Sequence, residues 1–351
     1  MRVTEGLTAV GRARTTCVMK ALMLHGTGEA PRYEDVDDPV PGPGEALVAI
    51  EAAALNHRDI WVTKGLYPGL SFPAIPGSDG SGTVVAVGDE ADGGWRDEAV
   101  VIDPGLDWGP DERTQGPGYN ILGVPRNGTL AEKVVVPVEN LRKRPAHLTA
   151  AQAAALPLAG LTAWRALMTR AGLRPEDKVL INGIGGGVAL CALQFAVAHG
   201  CRVWVTSSKK DKIGRAQQLG AEAGFLYVDQ GWGKQARRVL DGGADVIVDA
   251  AGGSGFGELV DALAPGGRIA VYGATRGAWP ELMPAKLFFK QASVVCSTMG
   301  SPREFSAMCA FVAEQKLVPE VDRTFSLARG AEAFDHLASG AQMGKVVVRP
   351  S

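Results

Sequence analysis

The run Val179-Leu-Ile-Asn-Gly183-Ile-Gly-Gly186-Gly187-Val188-Ala189 constrains this chain more than any other stretch. Three β-formers lead into a glycine-rich turn, and the turn leads into the apolar, helix-forming residues 187–199. Strand, tight turn and helix in that order are the context in which a loose glycine pattern points to a dinucleotide site. Gly183 permits the sharp turn, and Gly186 lets the backbone approach a pyrophosphate. Gly187, Val188 and Ala189 open the helix, whose first amides and dipole favour that anion. Ala189 takes the third glycine's place, where a small side chain allows helix and strand to pack closely. The plainer alternative is an ordinary flexible turn.

The surroundings fit an α/β, doubly wound parallel sheet. Strand-like runs at Val179–Asn182, Arg202–Thr206, Asp245–Asp249, Arg268–Tyr272 and Ser293–Thr298 alternate with helix-like runs at Gly187–His199, Asp211–Leu219 and Phe256–Leu263. A further short strand is expected at Phe225–Tyr227. Such alternation predicts a parallel sheet with helices on both faces. Before residue 149 the texture differs: Ala46–Glu51, Gly82–Gly88, Glu98–Asp103 and Glu132–Pro137 are short apolar runs broken by glycine and proline. That texture predicts a β-barrel-like region, with Pro104–Gly128 as a long loop. A helix is expected over Thr149–Arg170, with Thr149 as its cap. After Gly300 a helix is expected at Arg303–Lys316, then a strand-like Arg323–Leu327, a short helix at Ala331–Ala338 and the terminal strand Lys345–Arg349, a tail that resembles the first segment more than the middle one. The expected division is therefore an extension at residues 1–18, a β-rich domain from 19–149 and 301–351, and an inserted dinucleotide-binding domain at 150–300.

Cofactor choice is read at the end of the second strand, where NAD enzymes usually place an acid for the ribose hydroxyls. Here that position falls in Thr206-Ser207-Ser208-Lys209-Lys210-Asp211-Lys212, and the first acid lies beyond two serines and two lysines. Hydroxyls and ammonium groups at Ser207, Ser208 and Lys212 suit a 2′-phosphate, which a carboxylate would repel. The expectation is NADPH; the alternative is a solvated helix start.

Composition narrows the class. The formal charge of −2 offers nucleic acid no global electrostatic footprint. Cys17, Cys191, Cys201, Cys296 and Cys309 form no Cys-x-x-Cys pair, so neither a disulfide framework nor a zinc knuckle is expected. Scattered thiols and the lack of a long apolar block predict a cytoplasmic protein with no membrane span.

Further motifs surround the glycine turn: Asn56-His-Arg-Asp59, Lys64-Gly-Leu-Tyr67-Pro, Pro76-Gly-Ser-Asp79-Gly-Ser-Gly-Thr-Val, Ala155-Leu-Pro-Leu-Ala-Gly-Leu-Thr162-Ala-Trp, Ala264-Pro-Gly-Gly-Arg-Ile and Gly344-Lys345-Val-Val. In order and spacing they resemble the medium-chain dehydrogenase/reductase superfamily over nearly all of Met19–Pro350. The resemblance implies a GroES-like β-barrel catalytic domain around an inserted Rossmann domain. It also implies that the three positions holding Cys, His and Cys as zinc ligands in zinc alcohol dehydrogenases read Asn56, Ser78 and Leu158 here. None of these is an ordinary zinc ligand, and the loop Pro104–Gly128 lacks the cysteines of a structural zinc site. No metal is expected.

Within the superfamily the chain is most similar to the quinone oxidoreductase and enone or enal reductase branch. That similarity places Asn56 on the branch's active-site asparagine, Trp61 on an aromatic wall and Tyr67 on its nicotinamide-side tyrosine, with Thr162 where the nicotinamide is contacted and Lys345 as a basic residue near the cofactor. Tyr67 either donates a hydrogen bond to a developing enolate or phenolate oxygen or packs against the ring. Asn56 either orients a carbonyl or stabilises its turn, and Asp59 is expected to anchor the following helix or backbone, with a general base as the alternative. Trp61 stands where a tyrosine is often found. Cys191 and Cys201 are expected to be core thiols.

The resulting expectation is an NADPH-dependent, zinc-independent oxidoreductase that transfers hydride to a quinone or an α,β-unsaturated carbonyl. Alternatives are a zinc-type alcohol dehydrogenase with an atypical metal site and a non-catalytic NADPH-binding protein. The run Leu287–Thr298 is an apolar sheet edge, which relatives cover by forming a homodimer.

Overall fold

The computed structural model describes residues 17–350. The expected extension at 1–18 lies outside the described residues as far as residue 16. Its end is corrected, because Val18 already pairs with Asp37 in the ribbon of strands Val18–Met23 and Arg32–Asp37.

Both ends of the chain build one sheet. Its seven strands include Glu45–Ala54, Asp79–Val87, Ala99–Ile102, Lys133–Pro137 and Leu141–Lys143, joined by Val321–Ser326 and Lys345–Arg349. Lys345–Arg349 pairs antiparallel with Glu45–Ala54 through Val347 with Ala54 and Val348 with Ala53. Glu45–Ala54 alternates buried and half-buried side chains, so Ala46, Val48 and Ile50 fall on the core face. Gly82 is obligatory in this sheet: a Cβ there would lie 1.9 Å from the Ala49 carbonyl oxygen.

The second sheet is wholly parallel. Its order is Ala223–Leu226, Arg202–Ser207, Lys178–Ile181, Ala244–Asp249, Leu263–Val271 and Ser293–Cys296. This is the doubly wound arrangement, in which strand order reverses beside the first strand. Val179, Leu180 and Ile181 are fully buried there, since a central parallel strand is covered on both faces. The helix Gly187–Ala198 packs Leu190 and Phe195 into one core, while Trp204, Phe256 and Leu263 fill the core on the opposite face. Burial of each such side chain contributes roughly 1.5–3 kcal/mol.

Two expectations need correction. The single helix over Thr149–Arg170 is three pieces: Ala150–Ala154, Pro157–Trp164 and a wider-wound turn at Arg165–Arg170. Pro157 has no N–H to give and starts a new helix at its first position. An unexpected helix, Trp232–Val239, buries Trp232 and Ala236. The expected loop at 104–128 is largely irregular, with only the two-residue strands Gly105–Leu106 and Asn120–Ile121.

Candidate active site

A cavity of about 490 Å³ lies along the carboxyl ends of the parallel strands, between that sheet and the seven-stranded one. Asn56, Trp61, Tyr67, Thr162, Gly183, Gly186, Gly187, Val188, Ser207, Ser208, Lys212 and Lys345 all line it. The sequence therefore places twelve candidates at one site, although they span almost 290 residues of chain.

One half of the cavity is built from the glycine turn. Thr206 pins the turn, its hydroxyl accepting from the Gly183 amide at 2.9 Å while its carbonyl accepts from Ile184 at 2.8 Å. Behind it, the Thr206 hydroxyl donates to Asn182 Oδ1 at 2.6 Å, and Asn182 Nδ2 donates to Asp249 at 2.8 Å. Gly183 has φ +76°, a left-handed conformation that favours glycine. A Cβ on Gly186 would meet nothing within 4 Å, so the space beside it is open. Gly186 also leaves the following helix without a side-chain cap. Uncapped amides facing open space fit a pyrophosphate.

The second strand ends in Ser207 and Ser208, with no carboxylate at its tip. Ser207 is buried and its hydroxyl accepts from the Lys209 amide at 3.2 Å, which shapes the turn. Ser208 and Lys209 are exposed at the cavity mouth. Lys212 donates to the Gln342 carbonyl at 2.7 Å and so ties this turn to the loop before the last strand. Burial, and then the charge of Lys209, push its ammonium pKa down.

A buried ionic cluster underlies the end of the cavity nearer the seven-stranded sheet. Lys345 Nζ lies 2.8 Å from Asp79 Oδ2 and 2.5 Å from Asn56 Oδ1, with side-chain exposures of 5% for the lysine and 0% for the aspartate. Asn56 Nδ2 donates to the same Asp79 oxygen at 2.9 Å. The other Asp79 oxygen accepts from the Leu158 amide at 2.8 Å, an amide released because Pro157 begins a new helix. Asp59 accepts from the Asn56 amide at 2.7 Å and holds the turn from below. Asn56 is thus wired through its side chain into the Asp79–Lys345 pair, beyond the local turn role weighed from sequence.

This donor set does not fit a zinc ion. Leu158 offers only backbone, the Asn56 amide is bonded on both sides, and Ser78 Oγ donates to the Leu122 carbonyl at 2.8 Å. Lys345 and Arg58, both cations, stand among the three positions. Among the described residues no group of three or more His, Cys, Asp or Glu side chains is placed to hold a metal. His57 lines the cavity, and burial followed by the Lys345 charge pushes its pKa down, favouring the neutral ring.

Trp61, Tyr67, Ile121 and Arg58 also line the cavity. The Tyr67 ring lies over the Arg58 guanidinium, 4.6 Å from its centroid to Cζ. Thr162 donates to the Leu158 carbonyl at 2.8 Å, which leaves its oxygen free only as an acceptor. Sequence reasoning missed Arg58, which sits unremarked inside the Asn56–Asp59 motif, and the pairing of Asp79 with Lys345. Residue type alone carried a signal for both: charged side chains flanked by buried positions call for partners.

Comparison with known proteins adds the family context. A model described as an alcohol dehydrogenase GroES-like domain matches residues 42–146, and one described as a zinc-binding dehydrogenase matches 187–314. The chain is 37% identical over 340 residues to a zinc-type alcohol dehydrogenase-like protein of Leptosphaeria maculans, covering 89% of this chain and 92% of that one. It is 26% identical to an acryloyl-coenzyme A reductase of Sulfurisphaera tokodaii, covering 95% and 100% respectively. The crystal structure of an NAD-dependent alcohol dehydrogenase superposes with a TM-score of 0.90 at 40% identity, covering 95% of this chain and all of the other.

Proposed function

The chain belongs to the medium-chain dehydrogenase/reductase superfamily, and on that premise we propose that it is an NADPH-dependent, zinc-independent oxidoreductase acting on an α,β-unsaturated carbonyl or a quinone. The observation that carries this reading is the Asn56–Asp79–Lys345 cluster, a closed hydrogen-bonded ion pair at the place where a metal would be needed. Without a Lewis acid, alkoxide chemistry on a plain alcohol is unsupported. Reduction of an acceptor already polarised by conjugation needs only orientation and electrostatics.

Gly183, Gly186, Gly187 and Val188 would hold the pyrophosphate, and Ser207, Ser208 and Lys212 the 2′-phosphate end. Thr162 and Lys345 would border the nicotinamide. When bound, the reduced cofactor supplies hydride. Asn56 and Lys345 fix the floor of the cleft, while Trp61 and Tyr67 form the wall against which a planar conjugated acceptor lies. The acryloyl-coenzyme A reductase among the relatives acts, by its name, on such a conjugated carbonyl.

Thermal-shift titration tests the cofactor assignment, since a ligand that binds only the fold stabilises it. NADPH is expected to stabilise at lower concentration than NADH. Equal or stronger stabilisation by NADH, as the NAD-dependent relative suggests, overturns the choice of cofactor. Cofactor oxidation across a panel of enals, enones, quinones and primary alcohols tests the chemistry. Alcohol turnover accompanied by about one tightly bound zinc per chain would return the protein to the zinc-type class. Binding of NADPH without turnover of any acceptor would make it a non-catalytic binder.

The same reading includes a homodimer. Ser293–Cys296 is the edge of the parallel sheet, and Met283, Phe288 and Phe289 beside it are 69%, 60% and 82% exposed. Pairing with a second copy covers such an edge; a monomeric mass in light scattering at micromolar concentration excludes it. No described helix is long and apolar enough to cross a membrane. With all five cysteines free, the cytoplasm is the proposed compartment.

A further inference from the structure

Arg58 is 6% exposed, lines the cavity, and among the described residues forms no ion pair. Every acceptor it meets is neutral. Nη1 donates to Ser78 Oγ at 2.6 Å and to the Leu122 carbonyl at 2.9 Å. Nη2 reaches the Val124 carbonyl only at 3.5 Å, beyond ordinary bonding distance. Nε has no partner at all. A guanidinium has five N–H donors in a rigid plane, so the two bonds of Nη1 leave the Nε–Nη2 edge uncommitted. That edge is the fork with which arginine grips an anionic oxygen.

Of the nearby charges, Lys345 is paired with Asp79. Asp59, the chain neighbour of Arg58, accepts from the Asn56 amide through Oδ2, while its Oδ1 has no hydrogen-bond partner. Burial raises the Asp59 carboxyl pKa, and the Arg58 charge draws it down against that rise. That neighbour is not within ion-pair distance, and a buried cation without a directly bonded anion is costly. Tyr67 shields one face of the guanidinium and keeps the side chain at the substrate wall.

We propose that Arg58 receives the substrate's oxygen as that oxygen becomes anionic, and so selects acceptors whose reduction places charge there. This rests on the conjugated-carbonyl reading above. In the step it serves, hydride bonds to the β-carbon and the carbon–carbon π pair moves to form the α-carbon–carbonyl double bond. The carbonyl π pair moves onto oxygen as an enolate, while the dihydronicotinamide is oxidised to the pyridinium. A proton from solvent then bonds to the α-carbon and restores the carbonyl. Arg58 stays charged throughout and gives up no proton. Its contribution is a fixed positive fork where negative charge develops.

Three proteins test this: wild type, Arg58→Met and Arg58→Lys, each with NADPH and either 2-cyclohexenone or menadione. The second probe is inhibition by benzoate against its neutral isostere benzamide. Arg58→Met is expected to lower kcat about 100- to 1,000-fold, with NADPH affinity, read by its fluorescence, within about threefold. Wild type is expected to prefer benzoate by at least about tenfold, and Arg58→Met to lose that preference. Arg58→Lys keeps the charge without the fork and is expected to lose about tenfold in kcat while retaining the benzoate preference. Turnover of Arg58→Met within threefold of wild type overturns the proposal, as does a wild type that binds benzoate no better than benzamide. Should Arg58→Met fail to fold, Arg58→Lys decides by the same two readouts, and unchanged turnover or no benzoate preference overturns the proposal. A wild type that reduces neither acceptor yet prefers benzoate condemns the functional reading and leaves the anion site standing.

Discussion

Replacing Lys345 by methionine isolates the ionic cluster from its packing. The lysine stem runs against the start of the helix Gly187–Ala198, where a Cβ on Gly187 would lie 2.6 Å from Lys345 Cδ. Methionine keeps a chain of similar length there and removes only the ammonium. Asp79, fully buried, then retains two neutral donors, Asn56 Nδ2 at 2.9 Å and the Leu158 amide at 2.8 Å, while Asn56 Oδ1 loses its donor. Breaking a buried pair from one side typically costs about 3–5 kcal/mol, and the orphaned Asn56 oxygen about 1–3 kcal/mol more. Two surviving bonds to a charged acceptor offset part of this, so a net loss of about 3–5 kcal/mol is expected. Urea denaturation at neutral pH measures it. Asp79→Asn alone is also destabilising, but the double variant Asp79→Asn/Lys345→Met is expected to be more stable than the sum of the singles implies. A coupling energy above about 2 kcal/mol is expected for residues in one network. A loss below about 1 kcal/mol in Lys345→Met, or coupling below about 0.5 kcal/mol, refutes the argument that charge pairing holds this corner.

Three further outcomes follow from the geometry. Burial pushes the Asp103 carboxyl from 3.8 up to about 7; folding therefore takes up a proton, and the associated stability is complete below about pH 4 and lost as pH rises through about 7. At about 1.36 kcal/mol per unit this is at most about 4 kcal/mol, so Asp103→Asn is expected to gain on wild type at pH 8 and not at pH 4; parallel urea-stability profiles would contradict it. Gly186→Ala meets no protein atom within 4 Å and has φ −78°, so the unliganded protein should keep its stability within about 0.5 kcal/mol while calorimetry shows NADPH binding at least about tenfold weaker; unchanged affinity would remove the pyrophosphate from this turn. Tyr67→Phe preserves the ring over Arg58, so enone turnover is expected to fall no more than about tenfold, and Tyr67→Ala, which removes the cation–π contact, to fall further; equal turnover in the two variants would dismiss the ring's role.

What was legible in the sequence was local. The glycine turn, the alternating strands and helices, and the helix–strand–helix–strand order of the tail all depend on neighbours within a few residues. Candidate site residues near the turn were equally readable, because a strand tip fixes where they point. Arg58 and Asp79 were not, since their roles come from Ser78, Leu122 and Lys345, brought close only by the closed fold. The helix Trp232–Val239 escaped notice because Gly233 interrupts it and only Trp232 and Ala236 mark its buried face at helical spacing. Gly233 is there for contact: a Cβ would sit 2.1 Å from the Glu258 carbonyl oxygen. The break at Pro157 was visible as a residue, but its consequence, a free Leu158 amide aimed at Asp79, required the third dimension.

The Asp79–Lys345 pair also sets a timetable for biosynthesis. Its partners are 266 positions apart, and at about 5–20 residues per second the aspartate leaves the ribosome on the order of tens of seconds before its counterion exists. During that interval the six parallel strands, whose last residue is Cys296, can be assembled completely. Glu45–Ala54 still lacks its neighbour Lys345–Arg349. The nascent chain therefore carries a finished parallel sheet beside a second sheet with an open strand edge and an unneutralised carboxylate. Translation of the final strand closes both together.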